Sequence, residues 1–382
     1  MRDSENTESQ TNQRKSQTSG KGSICPREKR FSRQLKARFP EASSGQLLSL
    51  AREYRKKTQI KEPESSSFQV YEKIHADVEA DIIMGQCYGA DWFGENPERK
   101  LKHATTAMCR ELLELKYQNP NLEPLITEVI RHICAALVSD RPVIKFKPII
   151  LLGDPGIGKT YIGQQLAKVL GLDFWKIDGP NIQANFVLMG AARTWREARP
   201  GKLAEIALTS QYANPIVFFD EIDKIPKTDN HRPDAPFYAL AEEHSAEKMV
   251  DEYFLTPLDM SHFNIIGTAN DLSGMSDAMR SRFKIFHISK PTSKQARRIA
   301  VNVFKNLLAQ KHITRFEPKL SEKVMDKLED MTPREMTQAL DTAIGIACKA
   351  HQFTRKPLRI EPEYIDQAQT VKTKRNPIGF AP

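Results

Sequence analysis

The residues best equipped for chemistry form one short run, Gly153-Asp154-Pro155-Gly156-Ile157-Gly158-Lys159-Thr160. Its spacing, Gly-x-x-x-x-Gly-Lys-Thr, places backbone N–H groups, an ammonium and a hydroxyl where one polyphosphate can meet them all. The glycines let the backbone curl so that its N–H groups face phosphate oxygens. A helix starting at this point adds the partial positive charge of its N-terminus. Lys159 can reach the β- and γ-phosphates, and the Thr160 hydroxyl can ligate Mg²⁺. ATP and Mg²⁺ are therefore the expected cofactors.

Further along, the apolar run Ile216 to Phe219 ends in Asp220-Glu221. A carboxylate at the end of such a strand sits beside the phosphate loop. Asp220 suits Mg²⁺ coordination, and Glu221 suits polarising the attacking water. Asn270, in Gly267-Thr268-Ala269-Asn270, can orient that water and touch the γ-phosphate; otherwise it serves a turn with Asp271. Arg282, or Arg280 beside it, can stabilise charge developing on a neighbouring subunit's γ-phosphate. Arg334 follows Thr332-Pro333 at a helix start, from where it can report the γ-phosphate to the C-terminal region. Trp195 and Arg196 lie in a charged loop that also holds Arg193 and Arg199. An aromatic there either folds back on the domain, grips an extended chain in a ring's channel, or accompanies arginines on a nucleic-acid backbone.

The elements that must position these groups follow from periodicity. Candidate strands are Ile149–Leu152, Phe174–Ile177, Ile216–Phe219, Phe263–Gly267 and Ile285–Ile288, with helical segments between them. Strand alternating with helix predicts an α/β fold with a parallel sheet covered on both faces. After Pro291 the pattern is helical: Ser293–Gln310, Leu320–Leu328, Pro333–Ala350 and a short Ile360–Gln369 element. This segregated tail reads as a helical lid over 291–382. Upstream, Val70, Ile74, Val78, Ile82 and Ile83 recur at steps of three and four, which predicts an amphipathic helix across Phe68 to Gly89. Pro97–Tyr117 and Leu122–Val138 read as further helices. The expected division is a basic N-terminal segment 1–67, disordered or partly helical, a small helical region 68–124, an α/β nucleotide domain 125–290, and the lid. Tyr88, Trp92 and Phe93 suit core packing or a docking face.

The 382 residues carry a formal charge of +9. Much of that excess lies at the ends, as in Arg52, Arg55, Lys56, Lys57 and Lys61, a patch able to meet nucleic acid or an acidic protein face. The five cysteines are scattered without metal spacing, which suggests a reducing, cytoplasmic setting. No apolar stretch is long enough to span a membrane.

Together these residues resemble the AAA+ ATPase superfamily, and more specifically the ATPase module of Lon proteases, over about 125–382. Arg193-Thr194-Trp195 to Pro200-Gly201 is similar to that family's substrate-gripping loop. Asn214-Pro215 to Ile225 resembles its second acidic nucleotide motif, and Thr268-Ala269-Asn270 its γ-phosphate sensor. Met279 to Ile285 resembles its arginine-finger segment, and Thr332-Pro333-Arg334 its second sensor. The resemblance implies a five-stranded sheet with a helical lid, a hexameric ring with ATP between subunits, and hydrolysis-driven threading of a protein client. The chain stops where a Ser–Lys peptidase domain would begin, so no proteolysis in cis is expected. The charged gripping loop keeps a second expectation open, a nucleic-acid-associated ATPase of replication, transposition or mobile-element defence.

Overall fold

Five apolar runs close into one parallel sheet in the computed structural model, which describes residues 66–93, 97–226, 235–273, 275–351 and 356–373. All of these belong to one compact unit, Glu62–Pro382. The basic patch Arg52–Lys61 and the terminal Ile378-Gly379-Phe380 lie outside the described residues.

In chain order the strands are β1 Ser67–Gln69, β2 Glu98–Lys100, β3 Ile149–Leu152, β4 Phe174–Asp178, β5 Ile216–Asp220, β6 Met249–Val250, β7 Pro257–Leu258, β8 Asn264–Ala269 and β9 Lys284–His287. The helices are α1 Ala76–Ile83, α2 Thr106–Gln118, α3 Glu123–Val138, α4 Lys159–Leu170, α5 Phe186–Met189, α6 Lys202–Thr209, α7 Ala235–Ala241, α8 Glu243–Ala246, α9 Asp277–Arg280, α10 Ser293–Gln310, α11 Glu322–Leu328, α12 Pro333–Ala350 and α13 Pro362–Thr373.

The main sheet has the order β4-β5-β8-β3-β9. Every neighbouring pair in it is parallel. Successive side chains leave a strand on opposite faces, and the apolar runs supply both faces at once. Ile150, Val217, Phe219 and Ile265 enter one buried cluster. Ile149, Leu151, Ile216, Phe218 and Ile266 enter the other, beneath α2, α3 and α4. Gly163 on α4 is needed there, because a Cβ would stand 2.5 Å from the Phe218 ring. The five strands expected from sequence match these within two residues at each end.

The lid, α10 to α13, has its own buried cluster, which includes Phe304, Leu328, Leu340, Ile344 and Ile365. Thr292 and Thr332 open α10 and α12 with capping boxes. Each hydroxyl accepts from the helix's third N–H, and the third side chain returns to the cap's own N–H. Polar bonds fasten α10 to the body: Asn302 Nδ2 donates to the Gln118 carbonyl at 2.9 Å.

Two expected helices are corrected. Phe68 to Gly89 is not one helix; β1 precedes α1, and β1 pairs with β2 antiparallel. Val70, in the loop just after β1, and Val78, in α1, are both buried, so a loop and a helix in succession produce the same apolar spacing as one long helix. The Tyr71 hydroxyl donates to the Phe93 carbonyl at 3.1 Å and holds that turn of chain. Likewise Pro97 to Tyr117 begins as β2, and α2 starts only after the Thr105 cap. Of the three aromatics upstream, Phe93 is buried, Trp92 partly buried, and Tyr88 exposed.

Candidate nucleotide site

The carboxyl ends of β3, β4, β5 and β8 meet at one edge of the sheet, where open α/β folds carry their ligands. The turn after β3 becomes the phosphate loop. Gly156 and Gly158 have φ of 82° and 100°, left-handed backbone that glycine adopts without strain. Ile157 is buried and anchors the loop, and Asn121 Nδ2 donates to its carbonyl at 3.1 Å. α4 then begins at Lys159, so its N-terminus opens onto the loop.

A cleft of about 530 Å³ lies over this loop, within the range of small-molecule sites. Its walls include Pro155 to Thr160, Asp220, Glu221, Thr268, Asn270 and Arg334. Asn119, which caps the end of α2, and Ile299 and Val303 of α10 also line it. Most of the expected nucleotide residues are thus brought to one cavity.

Lys159 spans the loop. Its ammonium donates to the Gly153 carbonyl, to the Asp154 carbonyl at 2.9 Å and to Asn270 Oδ1 at 2.9 Å. Burial pulls its pKa below the ordinary lysine value, against the pull of Asp223, Asp220, Asp154 and Glu221.

Asp220 gathers three partners. Thr160 Oγ1 donates to its Oδ2 at 3.1 Å. Thr268 Oγ1 donates to Oδ1 at 2.6 Å. The Lys176 ammonium lies 3.1 Å from Oδ2. Burial raises the Asp220 carboxyl, but the Thr268 hydroxyl and Lys176 outweigh it and hold the group below its usual value. A hydroxyl and a carboxylate are the hard oxygen donors that Mg²⁺ prefers. A cation, Lys176, already stands against the same carboxylate, so Thr160 and Asp220 fit a divalent metal.

Glu221 occupies left-handed backbone, φ 56° and ψ 53°, an uncommon and costly conformation for a side chain of its size. Its N–H donates to Thr268 Oγ1 at 2.8 Å, so Thr268 ties both acidic residues to β8. The Glu221 carboxylate pairs with Lys224 at 2.9 Å. The Asn270 N–H donates to Asp223 Oδ2 at 3.2 Å. Thr268, Lys176 and Asp223 were not singled out from sequence. A lysine inside the otherwise apolar Phe174-Trp175-Lys176-Ile177 is the signal that would have found one of them.

Arg334 is the second residue of α12. Its N–H donates to the Gly156 carbonyl at 3.2 Å, and a Cβ on Gly156 would stand 3.4 Å from its own Cβ.

Three expected site residues, Arg282, Trp195 and Arg196, are not among those lining this cleft. Arg282 turns onto Glu242, with Nε donating to Oε1 at 2.8 Å, and onto the Ala278 carbonyl at 2.6 Å. Its guanidinium also covers the Tyr238 ring at 5.3 Å. Phe283 beside it is buried. Arg280 is held by the Leu272 carbonyl.

Trp195 is 67% exposed. The loop around it is closed by Ala191 N–H to the Arg199 carbonyl at 3.0 Å. Arg193 pairs with Asp81 and covers the Tyr253 ring at 5.2 Å, while Arg199 lies over Tyr88 at 5.7 Å. Thr194, Trp195, Arg196 and Glu197 are the exposed tip. At the loop's stem Asp251 is buried and accepts from the N–H groups of Gly201 at 2.7 Å, Tyr253 at 3.0 Å and Phe254 at 3.0 Å. Burial outweighs those donors and pushes its carboxyl up to about 6.

Residues 149–290 match the family model described as "ATPase family associated with various cellular activities (AAA)". Among curated proteins, the peroxisomal Lon protease homolog 2 of Caenorhabditis briggsae is 25% identical over 243 residues, covering 63% of this chain and 31% of that protein. Lon protease 2 of Bdellovibrio bacteriovorus is 26% identical over 245 residues, 63% of this chain and 29% of that one. The Lon protease of Chlamydia trachomatis is 32% identical over 141 residues, 37% of this chain and 17% of that one. The chain thus spans about three-tenths of the first two relatives. Among solved structures, the RuvB Holliday junction branch migration motor of Thermotoga maritima aligns with a TM-score of 0.43 and 17% identity, over 67% of this chain and 73% of that one. Among the described residues no helix is long and apolar enough to cross a membrane. With the phosphate loop, the acidic strand end and the sheet order already in place, residues 149–290 match the AAA ATPase family model, and the chain is similar in sequence to Lon proteases.

Proposed function

We propose that this chain is a cytoplasmic, ATP-driven motor that remodels or translocates a protein partner, working as a ring of identical subunits. Proteolysis is not part of the proposed cycle. The observation that carries it is Trp195, a large aromatic held in the open at the tip of a loop whose stem is fixed to the ATPase body by Asp251. An exposed indole has no folding role there and suits gripping an extended polypeptide. That the similar proteins are named proteases supports a protein client over other cargo.

In this reading Lys159 and the loop N–H groups bind the β- and γ-phosphates. Thr160 and Asp220 hold Mg²⁺, which when bound neutralises phosphate charge. Glu221 orients the attacking water once its carboxylate leaves Lys224. Asn270 fixes the γ-phosphate side, and Arg334 conveys its presence to the lid through α12. Arg282 acts on the next subunit's nucleotide after exchanging Glu242 for the γ-phosphate.

The exposed Arg196 beside Trp195 supports a second reading, contact with nucleic acid. Arg193 and Arg199 support it less, because both are turned onto side chains of the body. Affinity capture with Glu221→Gln and ATP separates the two. A polypeptide retained by that variant, and lost when Trp195→Ala is added, supports the motor. Retained DNA or RNA, or nothing dependent on Trp195, contradicts it.

A further inference from the structure

We propose that Lys176 is a positioning residue that sets how much Mg²⁺ the nucleotide site requires, an inference that rests on the metal site assigned above to Thr160 and Asp220. β4 lies beside β5 in register, with Lys176 opposite Phe218 and Asp178 opposite Asp220. Lys176 and Asp178 are two residues apart and so leave the strand on one face. The ammonium reaches both carboxylates, Asp178 Oδ1 at 2.6 Å and Asp220 Oδ2 at 3.1 Å.

Asp220 is therefore neutralised and aimed by a cation of the chain itself, together with the Thr160 and Thr268 hydroxyls. The hydroxyls are neutral and can remain when a metal is present. The ammonium cannot share the carboxylate with a divalent ion at little cost, since like charges at contact repel strongly away from bulk water. Asp178 provides somewhere for it to go. It is half-exposed, it is already the nearer partner, and moving Lys176 wholly onto it needs only a side-chain rotation. The lysine thus holds Asp220 in place when the metal is absent and withdraws to Asp178 when metal and nucleotide arrive. Metal binding competes with an internal cation, and Asp178 sets how easily that cation yields.

Removing the lysine and removing Asp178 give opposite predictions, which a purely structural lysine would not. The test is equilibrium binding of a fluorescent ADP by the full chain across a Mg²⁺ series, read without turnover. Lys176→Met removes the competitor and is expected to lower the half-saturating Mg²⁺ several-fold. Asp178→Asn leaves Lys176 only Asp220 and is expected to raise it several-fold. Lys176→Arg keeps a cation and stays near the parent value. Shifts of the two variants in the same direction, or no shift in either, overturn the role of Lys176 while leaving the nucleotide site standing. Failure of the parent chain to bind ADP at any Mg²⁺ concentration overturns the site and this role together.

Discussion

The backbone N–H of Arg334 donates to the carbonyl of Gly156 at 3.2 Å, so the first turn of α12 is fastened to the middle of the phosphate loop. Gly156 has left-handed backbone, and a Cβ there would lie in ordinary contact with Arg334 Cβ and Thr332 Oγ1, so the backbone conformation is what a side chain would strain. In the proposed cycle this bond is the direct link by which a change in the loop reaches α12. Gly156→Ala is expected to cost about 1–2 kcal/mol in stability, the usual penalty for a side chain in left-handed backbone. Denaturant melts measure that cost, and nucleotide affinity should fall with it.

Thr268 links the Asp220 carboxylate and the Glu221 N–H and is fully buried. Thr268→Val keeps its shape and removes the hydroxyl. Losing a bond to a charged group costs about 1.5–3 kcal/mol. We expect turnover to fall about tenfold or more, with nucleotide affinity changing less, as steady-state hydrolysis beside a binding titration will measure.

Trp195→Ala touches an exposed side chain, and stability should stay within about 0.5 kcal/mol of the parent. Basal hydrolysis should persist while work on the client is lost. Loss of basal hydrolysis in this variant would mean the residue belongs to the ATPase site and not to a gripping loop.

Asp251 provides a pH test of the loop's stem. Its folded pKa is raised to about 6, so the folded state holds this proton over a range where the unfolded chain has released it. The contribution is fully present below the ordinary carboxylate value and is lost as pH rises through about 6. Relative to Asp251→Asn, the parent should lose stability between about pH 4 and about pH 6 with a slope of at most about 1.4 kcal/mol per pH unit, and level off above that. Urea unfolding of both proteins across the range checks the sign.

Much of this arrangement was legible because two of its signals are local. The phosphate loop is contiguous in sequence, and the buried parallel strands read as short apolar runs between helices. Upstream, the periodicity across Phe68 to Gly89 predicts a single helix because Val70, just after β1, and Val78 within α1 are both buried and stand at helical spacing although a loop separates the two elements. Thr268 was visible in its motif beside Asn270, but its role depends on the alignment of β5 with β8, which a single strand does not reveal. Asp251 is only half local: its donors Tyr253 and Phe254 follow it closely in the chain, but Gly201, which ties it to the loop's stem, comes from a distant segment. Arg282 shows the reverse case. Its segment was recognisable, yet in the single chain the side chain is engaged by Glu242, so its proposed role needs a second copy.

That second copy can be tested by mixing two inactive variants, Arg282→Ala and Glu221→Gln, and measuring ATP hydrolysis. Each alone should be nearly silent. In a mixed ring, some seams pair an intact Glu221 with a neighbour's intact Arg282, and an equal mixture should recover about one quarter of parent activity if subunits assort at random. A mixture no more active than its components, or an Arg282→Ala protein that hydrolyses ATP at the parent rate, would show that no arginine crosses between subunits.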